Sequence, residues 1–134
     1  MLPTIDSAGF PLVLITYPAH MTPEEADAYG QELGEVFTRG RVATVVDIRA
    51  LDSSVVTPTD RKYLAQVVDR VTKAHPGALV AESIVLDSAI LRGLYIAYSW
   101  LRSDQSYPSR AFGSVDEARA WVLKQLQEAG LVER

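Results

Sequence analysis

The chain has 134 residues, 48% of them hydrophobic, which is enough for one sizeable core and short for two domains. It contains no cysteine, which excludes disulfides, thiol nucleophiles and thiolate metal sites and makes the cytoplasm the expected compartment. Thirteen basic against seventeen acidic side chains give a net charge of −4, and because the basic residues are scattered rather than grouped, nucleic acid is not an expected partner.

Residues 10–17, FPLVLITY, combine β-branched and aromatic side chains and end at Pro18, the pattern of a buried strand. The preceding Asp6-Ser7-Ala8-Gly9 reads as a hairpin turn, so residues 2–5 are expected to pair antiparallel with that strand. Thr22-Pro23-Glu24-Glu25 supplies a capping hydroxyl, a proline at the first helical position and acids at the positive end of the helix dipole. The helix that starts there buries Ala26, Tyr29, Leu33, Val36 and Phe37 and stops at Gly40. Residues 41–48, RVATVVDI, are an almost unbroken apolar run, as in a parallel strand covered on both faces. A second capped helix starts at Thr57-Pro58-Thr59-Asp60, with Leu64, Val67, Val68 and Val71 as its stripe, and stops at His75-Pro76-Gly77. A third strand (79–86), a helix from Asp87-Ser88 to Leu101, a polar loop (102–106), a short edge strand (109–112) and a helix capped at Ser114 complete the chain. Ala118, Trp121, Val122 and Leu126 form that last helix's inner face, and residues 130–134 are expected to fray.

Strands alternating with helices predict one α/β domain over residues 1–134, with a single-layer mixed, mostly parallel sheet of four to five strands and about four helices. No apolar run approaches the roughly 20 residues of a membrane span, and no basic stretch followed by an apolar core opens the chain, so neither insertion nor export is expected.

The third helix is the oddity. AILRGLYIAYSWL carries only one charge, Arg92. Ile90, Leu94, Ala97 and Leu101 form one stripe expected to face the sheet, while Leu91, Tyr95 and Tyr98 form a second at the same period. A domain of this size rarely buries a whole helix circumference, so Leu91, Tyr95 and Tyr98 are candidates for a dimer contact or the wall of an apolar pocket.

Chemistry is sparse. Ligands of open α/β sheets gather at the carboxyl ends of strands, where Asp47, Arg49, Asp52 and Asp87 make a polar cluster with His20 near another strand end. Two aspartates and a histidine suffice for acid–base work if they converge, yet aspartate is also a common residue at strand ends and caps. Glycine-rich phosphate loops and paired zinc-binding histidines are missing, so no nucleotide, metal or other cofactor is expected.

The element order, together with Val46-Asp47-Ile48-Arg49, TPTDRK from Thr57, Leu91-Arg92-Gly93, Trp100-Leu101 and the aromatic-Ser-Glu-Ala-Trp series of residues 112–121, resembles the small bacterial STAS-like proteins, the SpoIIAA-like group related to the Sec14 fold. That resemblance implies a non-enzymatic regulatory or scaffolding module, homodimeric and working through contacts with a further protein. In the better characterised anti-sigma factor antagonists an Asp-Ser pair is phosphorylated, and Asp52-Ser53 is similar to it, which makes Ser53 and Ser54 candidate phosphoacceptors. Here Val55 replaces the usual glycine, the helix signal waits until Thr57, and a phosphate would sit beside Asp52. Three readings follow: an interaction module, with the phosphoserine switch as its variant; a carrier or sensor of a small apolar, lipid-like molecule held against the third helix; and an enzyme built on Asp47, Asp87 and His20.

Overall fold

The computed structural model describes residues 1–133. Its elements are β1 (Thr4–Asp6), β2 (Leu12–Thr16), α1 (Pro23–Thr38), β3 (Val42–Asp47), α2 (Pro58–Ala74), β4 (Leu79–Val85), α3 (Ala89–Leu101), β5 (Ser109–Phe112) and α4 (Val115–Glu128). The architecture is α/β, with five strands in one sheet of order β1-β2-β3-β4-β5. Only β1 runs antiparallel, against β2; the remaining pairs are parallel.

Thr22 and Thr57 start α1 and α2 with full capping boxes, their hydroxyls accepting from the amides of Glu25 and Asp60 while those carboxylates accept from the threonine amides. Sequential strand order has a direct consequence for the helices. Right-handed crossovers that all step the same way place their helices on one face, and α1, α2 and α3 do share a face and a core cluster that includes Val13, Tyr17, Tyr29, Phe37, Ile84 and Leu91. α4 alone covers the other face, seating Ala118, Val122 and Leu126 on Ala43, Val45, Ala81 and Val85.

The two layers stand at different heights. Alanines at positions 43 and 81 let α4 lie close on β3 and β4, whereas α1 to α3 pack closely on one another and stand further from the sheet. Between α1 and α2 the contact is tight: a Cβ on Gly30 would lie 2.6 Å from Val67 Cγ1. Aromatic side chains fill the wider layer, with Tyr17 and Tyr29 edge to face at 5.5 Å and their hydroxyls 3.3 Å apart.

Two expectations are corrected. Residues 130–132, expected to fray, are instead seated on the fold: Gly130, at φ +76°, closes α4 with Leu131 N–H donating to Leu126 O at 2.9 Å, and Leu131 and Val132 pack on the α4 core. Arg134 lies outside the described residues. The inner face of α3 is rotated from the expected one: Ile90 and Leu101 are exposed, Leu94 faces inward as expected, and Leu91, Tyr95 and Tyr98 turn inward with it. Both stripes have the same period, so periodicity alone does not choose between them.

The segment after α3, read as a polar loop, is fastened from within. Asp69 of α2 accepts from Arg102 Nε at 2.6 Å, from the amides of Ser103 and Asp104 at 2.9 and 3.1 Å, and from Ser103 Oγ at 3.0 Å. Arg102 in turn donates to Tyr107 Oη at 2.7 Å. Burial works against the Asp69 carboxylate, but Arg102 and the two amides outweigh it and hold its pKa below the usual value. A depressed folded-state pKa means that this stabilisation is present above the unfolded value and is lost as pH falls through the folded one. Asp69→Asn leaves Arg102 buried without its counter-charge and is expected to lower the unfolding free energy by about 3–5 kcal/mol at neutral pH, measured by urea denaturation, with the gap to wild type shrinking below about pH 4.

Candidate functional site

The gap between the sheet and the raised helical layer is a cavity of about 110 Å³. Ile15, Val46 and Ile84 form its sheet wall, and Tyr29, Leu64 and Tyr98 are among the side chains that line it from α1, α2 and α3. Its rim lies where the sequence points, at the carboxyl ends of β2 and β3: His20 and Met21 from one loop, Leu51 and Val56 from the next, and Asp60 and Arg61 from the first turn of α2. Asp52 N–H donates to Ala19 O at 3.1 Å and ties the two rim loops together. His20 faces Asp60 at 3.3 Å across the same opening.

Into this apolar space project several polar groups. Thr44 and Glu82 are direct cross-strand neighbours on β3 and β4, on the face that carries Val46 and Ile84. Thr44 is 2% exposed, and its Oγ1 has no hydrogen-bond partner among the described residues; nor has the buried Nε of Arg61. Glu82 has one side satisfied: Tyr95 Oη donates to Ser109 Oγ at 2.7 Å, and Ser109 Oγ donates to Glu82 Oε1 at 3.1 Å. Burial raises the Glu82 pKa, while Arg102 and the Ser109 hydrogen bond only partly oppose it. The hydroxyls of Tyr17, Tyr29 and Tyr98 are likewise made weaker acids by burial, and Tyr17 donates to Tyr29.

The residues singled out in the sequence fall into separate groups. Asp47 takes Arg49 in a bidentate pair, with Nε at 3.0 Å and Nη2 at 2.8 Å; burial pushes its carboxyl up, and the Arg49 hydrogen bonds bring it below the usual value. Asp87 adds to the field on Arg49 without bonding to it. Asp52 turns away to Ser54, accepting from its amide at 2.9 Å and its hydroxyl at 2.6 Å. Ser53 and Ser54 are both exposed on the rim loop. Asp47 and His20 thus have different partners, Arg49 and Asp60. Leu91 is buried in the core beside the cavity, which Tyr95 and Tyr98 line directly.

Sequence reasoning passed over Thr44, Glu82 and Asp69. Each carried a signal: a hydroxyl inside a strand read as covered on both faces, a carboxylate inside an otherwise largely apolar strand, and an aspartate beside Val68 and Thr72 on the buried side of a helix.

No family model matches the chain, and neither a curated protein nor a solved structure matches it. Among the described residues no group of three histidine or carboxylate side chains stands close enough to hold a metal ion. No helix among them is long and apolar enough to cross a membrane.

A raised folded-state pKa at Glu82 contributes stability that is present below the unfolded value and lost as pH rises through the folded one. Replacing Glu82 by Gln removes that loss. The variant is expected to gain on wild type progressively as pH rises above the unfolded carboxyl's usual value of about 4, read as the difference in urea midpoint at each pH; a constant difference would show that the carboxyl titrates normally.

Proposed function

We propose that the protein binds a small, mainly apolar molecule between its sheet and its three-helix layer, as a carrier or sensor rather than as an enzyme. The observation that carries this reading is the cavity itself, lined by Thr44 and Arg61, whose buried Oγ1 and Nε lack protein partners. Close packing is the rule inside proteins, and a cavity of about 150 Å³ is already known to hold benzene. A ligand entering at the His20 to Asp60 opening would pass Met21 and Leu51 and meet Ile15, Val46 and Ile84. The resemblance to STAS-like modules, carried by element order and short motifs, agrees with a binding role. Filling the space tests the reading: Val46→Phe is expected to fold with a stability loss of at most about 1–3 kcal/mol and to lose the small molecule extracted from freshly purified wild type and detected by mass spectrometry. A loss of several kcal/mol with no bound mass in the wild type would mean that the interior has no room to offer.

The outer face of α3 favours a second reading, self-association. Ile90, Ile96, Trp100 and Leu101 are exposed there, Trp100 at 81%. No charge lies among these four side chains, Arg92 standing one turn before Ile96 at their edge, so the patch can meet its own copy across a two-fold axis, and tryptophan is a frequent anchor of such contacts. Trp100→Glu is expected to convert a dimer to a monomer in light scattering coupled to size exclusion, with the thermal midpoint of the protomer fold kept; a wild type that is monomeric at high concentration sinks the idea.

A further inference from the structure

Resting on the cavity-binding reading, we infer that the ligand is a compact apolar body ending in a single uncharged hydroxyl, an alcohol or phenol, held between Thr44 and Glu82. Three observations select this chemistry. The cavity volume of about 110 Å³ suits a group about the size of one ring or a short branched chain, and its walls around the middle of β3 are Ile15, Val46 and Ile84. The polar floor is narrow: one hydroxyl and one carboxyl, side by side on paired strands, with the Thr44 hydroxyl unpartnered and Glu82 held from one side only by Ser109. A hydroxyl donates one hydrogen bond and accepts others, so a single ligand oxygen can accept a hydrogen bond from the Thr44 hydroxyl and donate one to Glu82.

Charged ends fit less well. A carboxylate ligand would face Glu82 across the floor and meet like charge. An ammonium would find Glu82, but it would enter past the Arg61 guanidinium at the rim and come within the field that Arg102 already exerts on that carboxyl. A hydroxyl is also indifferent to the state of the floor, because it donates to Glu82 when the carboxyl is ionised and accepts from it when it is protonated. A ligand without any polar group would leave Thr44 Oγ1 unpaired in the bound state as it is in the free one.

One matched series of probes tests both levels of the argument. Phenol, toluene, benzylamine and benzoate are titrated into the full-length protein and followed by chemical shifts in two-dimensional NMR, on wild type and on Thr44→Val, Thr44→Ser and Val46→Phe. The expected result is that phenol binds about tenfold more tightly than toluene, that Thr44→Val removes this preference while leaving toluene unchanged, and that Thr44→Ser, which keeps the hydroxyl, retains it. Val46→Phe is expected to abolish binding of both. Equal affinity for phenol and toluene, or a preference that survives Thr44→Val, overturns the assignment of a hydroxyl while leaving a cavity that binds apolar matter. Strongest binding by benzylamine or benzoate replaces the class with a cation read by Glu82 or an anion read by Arg61. Absence of binding by every probe overturns the cavity reading as well.

Discussion

Two alanines and four tyrosines set the heights of the two layers that sandwich the sheet, and the candidate site follows from that difference. Ala43 and Ala81 bring α4 down onto β3 and β4, so that face is filled by one helix and a small cluster ending at Leu131 and Val132. On the other face, Tyr17, Tyr29, Tyr95 and Tyr98 stand between sheet and helices. Because the strands follow one another in order across the sheet, all three crossover helices share this face and can settle against each other, as α1 and α2 do at Gly30 and Val67. Helix packing is thereby satisfied without the layer descending fully onto β3, and space remains over Thr44, Val46 and Glu82.

Stability alone does not explain the polar floor. A buried hydroxyl without a partner costs about 1–3 kcal/mol relative to an apolar side chain of the same shape, and a desolvated carboxyl held from one side adds a further cost. Asp69 and Arg102 show how the same chain treats a buried charge that serves the fold: four hydrogen bonds converge on one carboxylate, and the arginine reaches a tyrosine and a carbonyl besides. That network joins α2 to the α3–β5 connection and leaves its carboxylate fully engaged. In the centre of the sheet Thr44 Oγ1 is left without a partner and Glu82 is held from one side only, and this local inconsistency is what the binding proposal rests on.

Much of the fold was legible because its signals are local. Thr22-Pro23 and Thr57-Pro58 fix two helix starts, Gly40 and Gly77 lie just beyond two helix ends, and the apolar run of β3 announces a strand covered on both faces. The orientation of α3 was not legible, since two apolar stripes share one period and the structure turns the one with two tyrosines, not the wholly aliphatic one, toward the cavity. Nor was the cavity: Thr44 and Glu82 lie 38 residues apart in sequence and become neighbours only through the β3–β4 register. The strand-end aspartates were found by position, yet position does not reveal partners. Asp47 is engaged by Arg49, two residues away, and His20 by Asp60, forty residues on.

The rim of the cavity joins two features that look unrelated in sequence. The loop carrying Ser53 and Ser54 contributes Leu51 and Val56 to the rim, and its only tie to the facing loop among the described backbone hydrogen bonds is Asp52 N–H to Ala19 O. The Asp52 side chain is occupied by Ser54 on the same residue that makes the tie. Its carboxyl is held below the usual pKa by the Ser54 hydroxyl and amide, so it is charged at neutral pH and a second negative charge on Ser54 would meet it directly.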